Sequence, residues 1–149
     1  MFLIQRTDSD NLDFKDLVIL LDEFLAKRDG DQHTFYAQFN KLDDIKNTVV
    51  CYHNNIPVGC GAFKPFDEAT VEIKRMYVKP SFRGKGSATM VLQELEKWAI
   101  DYSYSSAILE TVKTQPDAIA LYKKNGYTII PNFGQYKNVE NSVCMHKNL

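Results

Sequence analysis

Apolar residues recur along this chain with two periods, and the alternation between those periods orders the predicted elements. Phe14, Leu17, Val18, Leu21, Phe24 and Leu25 follow the 3.6-residue repeat of an amphipathic helix. Asp8, Ser9 and Asp10 are its candidate N-caps, and Arg28-Asp29-Gly30-Asp31 is its end. From Ser87, the residues Ala88, Val91, Leu92, Leu95, Trp98 and Ala99 form a second helical stripe. Runs rich in β-branched and aromatic residues predict strands over Phe2 to Arg6, Asn47 to His53, Ile56 to Lys64, Thr70 to Val78, Ser106 to Val112, Tyr127 to Ile130 and Ser142 to Lys147. Asn54-Asn55 reads as a tight turn, and Gly59 and Gly61 inside a strand predict a bulge or a close backbone approach. Two shorter helices complete the pattern. One lies around His33 to Lys41; the other runs from Pro116 to Asn125, with Pro at its start, Lys123 and Lys124 at its negative end and Gly126 at C′. The expectation is an α/β fold (an α+β mixed sheet) of about seven mostly antiparallel strands flanked by four helices, in a single domain over residues 1–149.

Composition narrows the function more than the fold. A chain of 149 residues buries a core without needing disulfides or a structural metal. Its net charge of −1 lacks the basic excess of a nucleic-acid binder. No apolar run approaches the roughly 20 residues of a membrane span. Met1 to Gln5 lack the charged region and cleavage site of a secretory leader, which predicts a cytoplasmic protein with no membrane partner. Cys51, Cys60 and Cys144 sit among apolar, β-prone neighbours and read as core thiols. His33, His53 and His146 have no metal-ligand spacing, so no metal is expected. Cys144 and His146 share one face of the terminal strand, but no orienting carboxylate stands at a readable spacing, which favours a structural role.

The stretch from Glu72 to Ala88 carries the most chemistry. It reads as a strand, a sharp turn, and the opening of a helix. Glycines in Arg83-Gly84-Lys85-Gly86-Ser87-Ala88 let backbone N–H groups converge at the helix N-terminus, which makes a seat for phosphate oxygens. A P-loop would need Gly-x-x-x-x-Gly-Lys followed by Ser or Thr, which is missing. A dinucleotide fingerprint would need Gly or Ala where Thr89 stands, and would open the chain rather than follow several strands. A merely structural turn is the plain alternative; Arg83 and Lys85 add positive charge that such a turn does not require.

Arg83-x-x-Gly86-x-Ala88, with Val78-Lys79-Pro80 just upstream, resembles the Q/R-x-x-G-x-G/A signature of the GNAT N-acetyltransferase superfamily. Gln115 to Tyr127 resembles that family's N-x-x-A-x-x-L-Y-x-x-x-G-F/Y helix, with Gln115 in place of the common Asn. The likeness follows the element order over nearly the whole chain and is concentrated between Glu72 and Tyr127. It implies the GNAT acyl-CoA N-acyltransferase fold, with acetyl-CoA as acetyl donor and coenzyme A as product. By the same resemblance the pyrophosphate sits on Arg83, Gly84, Lys85, Gly86, Ser87 and Ala88, Gln115 also serves the cofactor, and the pantetheine arm pairs with backbone groups of Met76, Tyr77 and Val78. The implied reaction is direct attack on the thioester by a primary amine of a small molecule or peptide, in a monomer or homodimer. The rival is a non-catalytic acyl-CoA sensor or interaction domain of the same fold.

Such a transfer must take a proton from the amine. A lysine-like amine of pKa about 10.4 is neutral on the order of once in a thousand at pH 7, a deficit of about 4–5 kcal/mol, so a nearby base matters. By resemblance the first candidate is Glu72, six residues before Val78, as in family members with a glutamate there. Its strand parity with Lys74 allows instead a solvent-facing ion pair. Glu110 is the second candidate, for base, substrate contact or sheet support. Tyr122, in the family's Leu-Tyr pair, is the candidate acid for the departing thiolate. A phenol of pKa about 10 facing a thiol of about 8.5 donates uphill unless its site lowers that value; an aromatic packed on the sheet is the alternative. For the acceptor, Phe133 and Tyr136 in the loop from Ile130 are candidate pocket residues, and Arg28, Asp29 and Asp31 are candidate polar contacts.

Overall fold

A computed structural model describes residues 1–30 and 45–149. The helix expected around His33 to Lys41, and Asp31, lie outside the described residues. Among those described, the order is β1 (Phe2–Thr7), α1 (Leu12–Asp29), β2 (Asn47–His53), β3 (Ile56–Pro65), β4 (Thr70–Val78), α2 (Ser87–Asp101), β5 (Ser106–Val112), α3 (Pro116–Lys124), β6 (Thr128–Ile130) and β7 (Ser142–Asn148). Short 3₁₀ turns cover Pro80–Phe82 and Gly134–Tyr136. The seven strands form one sheet in the order β1-β2-β3-β4-β5-β7-β6. The β1–β2, β2–β3, β5–β7 and β6–β7 pairs are antiparallel, and β4–β5 is parallel. This is the mixed, mostly antiparallel α/β architecture expected from the pattern. The last strand is not at an edge: β7 lies between β5 and β6, so its peptide groups are paired on both sides. No described helix is long and apolar enough to cross a membrane.

The chain divides into two compact units, Met1–Lys64 with Lys74–Leu95, and Pro65–Ile73 with Glu96–Leu149, so β4 and α2 each contribute to both. In the first unit, α1 is capped by Asn11, whose Oδ1 accepts from Phe14 N at 2.9 Å. That corrects the expectation of Asp8, Ser9 or Asp10. Asp8 instead closes the preceding turn, its Oδ1 accepting from Asp10 N at 2.9 Å and its carbonyl from Asn11 N at 3.2 Å. The apolar face of α1 (Phe14, Leu17, Val18, Leu21) packs in one core with Val50, Cys60, Ala62 and Tyr77 from β2, β3 and β4.

Both features expected at the strand glycines are present. The β2–β3 register slips between Cys51, opposite Gly59, and Tyr52, opposite Pro57, which is a bulge. The close backbone approach is at Gly59, where a Cβ would lie 3.1 Å from Tyr77 O, whereas Gly61 is crowded by side chains, a Cβ there lying 2.5 Å from Met76 Sδ, 2.8 Å from Val91 Cγ1 and 2.9 Å from Leu95 Cδ1. In the second unit Ala99, Ala107, Leu109, Val112, Tyr127 and Met145 are buried. The buried Glu96 carboxylate accepts from Tyr127 Oη at 2.8 Å and Lys147 Nζ at 2.9 Å, so its charge is met inside the same unit.

Gly61→Ala is expected to destabilise the protein by about 1–3 kcal/mol through overpacking against α2. Urea unfolding checks this: the midpoint should fall with the slope unchanged.

Candidate active site

The turn after β4 is shaped by backbone conformation. Phe82 N donates to Lys79 O at 2.9 Å and Arg83 N to Pro80 O at 3.3 Å, which winds the 3₁₀ turn. Gly84 and Gly86 then adopt φ of +76° and +88°. An added Cβ would meet nothing within 4 Å at either position, so the left-handed backbone, and not crowding, calls for glycine. The helix α2 starts at Ser87, with Met90 N bonded to Gly86 O at 3.0 Å. Among the described residues, the amides of Gly84 to Ala88 donate to no protein acceptor. No acidic side chain stands in the first turn, and Lys85 Nζ lies 5.4 Å from the Phe82 ring centroid. The positive end of α2 is therefore free to receive an anion.

Arg83 does not share that orientation. Its Nε donates to Val78 O at 2.8 Å, and its guanidinium carbon lies 5.4 Å from the Phe24 ring and 5.7 Å from the Tyr77 ring. The side chain is turned back onto the end of β4, and the Val78 carbonyl is engaged by it. Of the other two strand residues expected at the cofactor, Tyr77 is buried and Met76 half-buried. One residue earlier stands a feature with no clear mark in the sequence. Arg75 takes φ +61° inside the strand and is buried, with Nη1 3.2 Å from Asp22 Oδ1. Its only sequence signal is a lone basic pair, Lys74-Arg75, within an otherwise β-prone run.

The second unit gathers carboxylates and phenols. The register Glu72↔Ile108, Ile108↔His146 and Glu110↔Cys144 puts Glu72, Glu110, Cys144 and His146 on one face of the sheet. Glu72 is only 5% exposed and Lys74 only 8%, so the solvent-facing ion pair is overturned; β4 sits in the middle of the strand order, where charged side chains do not reach water freely. Glu110 is half-buried and accepts from Ser142 Oγ at 2.7 Å. Tyr136 is buried, and burial followed by the charges of Glu110 and Glu72 pushes its phenol well above the ordinary value. Tyr122 is pushed the same way, by burial first and then by Glu110. Its hydroxyl makes no hydrogen bond among the described residues, while its ring sits edge-on to Tyr127 at 5.8 Å.

The remaining candidates divide. Phe133 is half-buried, with its ring edge-on to Phe66 at 5.4 Å and to Tyr136 at 5.8 Å, so it links the loop to its own unit. Gln115 occupies the N-cap position of α3 without a side-chain cap bond, its N–H bonded to Val112 O at 3.0 Å. Arg28 pairs with its neighbour Asp29. Cys144 is buried, and burial foremost raises its thiol to about 11, the Glu110 and Glu72 charges adding to the shift and a Phe133 backbone hydrogen bond opposing it. It is a neutral packing residue, in keeping with the structural role expected for Cys144 and His146.

Residues 14–127 match the acetyltransferase (GNAT) family. The IAA acetyltransferase of Azospirillum brasilense is 33% identical over 143 residues, covering 91% of this chain and 92% of that protein. Among solved structures, a GNAT family acetyltransferase from Elizabethkingia anophelis with acetyl-CoA bound superposes with a TM-score of 0.72 at 19% identity, over 99% of this chain and 98% of that one. The PaiA N-acetyltransferase of Thermoplasma acidophilum in complex with coenzyme A gives 0.73 at 16% identity, over 100% and 99%. At such identities the two structures speak for the fold.

The raised thiol sets a pH dependence. The unfolded chain ionises Cys144 from its ordinary value of 9.0, whereas the folded state holds the proton to about 11. The stability this contributes is complete below pH 9 and is lost as pH rises through 11. Urea midpoints measured from pH 8 to 11 should fall across that window, and Cys144→Ala should flatten the fall.

Proposed function

Because the chain belongs to the acetyltransferase (GNAT) family, we propose that it transfers the acetyl group of acetyl-CoA to a primary amine of a small molecule or peptide by direct attack on the thioester. The observation that carries this reading is the turn after β4. Two left-handed glycines, a run of undirected amides and a helix start free of acid coincide with the family's Arg83 to Ala88 signature. Those amides and Lys85 suit the diphosphate of the cofactor. Arg83 supports the seat by holding the end of β4, its charge shared with two rings. Met76, Tyr77 and Val78 lead directly into that turn, where the pantetheine arm would follow the strand.

In the reaction the amine nitrogen bonds to the thioester carbon, the C–S bond breaks, sulfur leaves as thiolate and the amine loses a proton. Glu72 takes that proton. Its burial suits this role, because passing a proton from an ammonium to a carboxylate shielded from water leaves both groups neutral and relieves the cost of keeping charge away from solvent. Glu110, with one oxygen already accepting from Ser142, orients the acceptor. Tyr122 donates a hydrogen bond to the leaving sulfur. Burial moves its pKa up, away from the thiol's ordinary value of about 8.5, so the phenol keeps its proton and stabilises thiolate without transferring it. Among the described residues its hydroxyl makes no hydrogen bond, which leaves it open to a ligand and supports this role.

Four measurements test the reading. Coenzyme A at 100 times its dissociation constant should add about 2.7 kcal/mol of stability in a thermal-shift assay. Gly86→Glu should abolish that shift, while also lowering the ligand-free midpoint because φ +88° strains any side chain. With an acceptor in hand, Glu72→Gln should lower kcat by about 10²–10⁴-fold. Tyr122→Phe should lower it by roughly tenfold or more with coenzyme A affinity intact. Cofactor binding without thiol release against a broad amine panel would instead mark an acyl-CoA sensor.

A further inference from the structure

We propose that Arg75, through its ion pair with Asp22 of α1, is a positioning residue that sets the path of β4 at Met76, Tyr77 and Val78. The inference rests on the proposed acetyl transfer, in which the pantetheine arm follows those three residues. Four described non-glycine residues have positive φ: Asn54 and Asn55 form the β2–β3 hairpin turn, Ser103 follows α2, and Arg75 alone lies inside a strand. Glycine would adopt φ +61° without strain. What arginine adds is a side chain, and that side chain is anchored.

Its side chain is 2% exposed and reaches Asp22 Oδ1 at 3.2 Å from Nη1, the Asp22 side chain being 55% exposed. Burial lowers the guanidinium's pKa and the Asp22 carboxylate opposes that shift, so the pair keeps a buried cation charged. Nε is buried without an acceptor, and among the described residues the Nη1 contact is the tether. At the other end of the residue, the Arg75 carbonyl accepts from Cys60 Sγ of β3 at 3.4 Å. Arg75 is thus held to α1 by its side chain and to β3 by its main chain. The left-handed step between these two anchors turns the strand before Met76. Downstream, Met76 Sδ fills the space beside Gly61, and Tyr77 joins the α1 core. The consequence is that α1 governs where the Met76–Val78 backbone lies, separately from the grip on phosphate at Gly84 to Ala88.

The test compares the wild type with Arg75→Gly, Arg75→Lys and Asp22→Asn, reading amide hydrogen exchange, coenzyme A affinity and kcat. In Arg75→Gly, exchange at Met76–Val78 should accelerate about tenfold while α1 and β2 amides keep their protection. Coenzyme A, whose pantetheine arm is placed along this strand, should bind several-fold more weakly and kcat should fall about tenfold, while exchange at Gly84 to Ala88 stays unchanged, a pattern that general destabilisation does not produce. Arg75→Lys should recover part of both losses. Asp22→Asn, at a half-exposed position that does not threaten folding, should move both in the same direction. Unchanged exchange at Met76–Val78 in Arg75→Gly and Asp22→Asn, or acceleration spread evenly over the first unit, overturns the proposal. The exchange pattern needs no turnover, so a protein that transfers no acetyl group to any amine would refute the proposed reaction while still deciding the role of Arg75.

Discussion

Amides at the start of a helix are available to a ligand only if the chain enters the helix without spending them. That constraint governs the segment between Val78 and Ser87. The strand must stop, reverse and begin winding within a few residues, and the left-handed backbone at Gly84 and Gly86 accomplishes it without side-chain obstruction. What surrounds the turn serves the same end. Arg83 fixes the last carbonyl of β4, Lys79 N donates to Val58 O at 2.8 Å, and the first turn of α2 carries no acid. A helix terminus kept open in this way has a standing preference for negative charge.

Much of this was legible in the sequence because it depends on local rules. The strand from Thr70 to Val78 and the helix from Ser87 have the boundaries that the apolar periods predict, and the close backbone approach expected at the strand glycines is at Gly59, beside Tyr77 O. What escaped depends on distant partners. Asn11 caps α1 because Asp8 is already committed to its own turn. Strand parity left open a solvent-facing pair of Glu72 and Lys74 beside the reading of Glu72 as a base, yet strand order buries both. The place of β7 between β5 and β6 has no local signature at all. Arg75 is the sharpest case: nothing in a strand pattern announces a left-handed arginine, because its reason lies with Asp22, 53 residues away.

The electrostatics of the second unit have a consistent direction. Glu72 and Glu110 share a sheet face, and burial first, with their charges adding, holds Tyr136 and Cys144 in their neutral forms, as burial and then Glu110 hold Tyr122. Negative charge is therefore concentrated on two carboxylates, with neutral hydroxyls around them. Such a setting favours a cationic visitor and, once its proton has gone, offers hydrogen bonds to a nascent anion.

The three cysteines, all buried and all with raised thiol pKa, have a bearing on the proposed product. Coenzyme A is itself a thiol, and an enzyme that releases it works beside a steady supply of a partner for disulfide exchange. Exchange needs an accessible thiolate. Cys51, Cys60 and Cys144 offer neither access nor charge, so the folded protein is a poor partner for mixed-disulfide formation with coenzyme A.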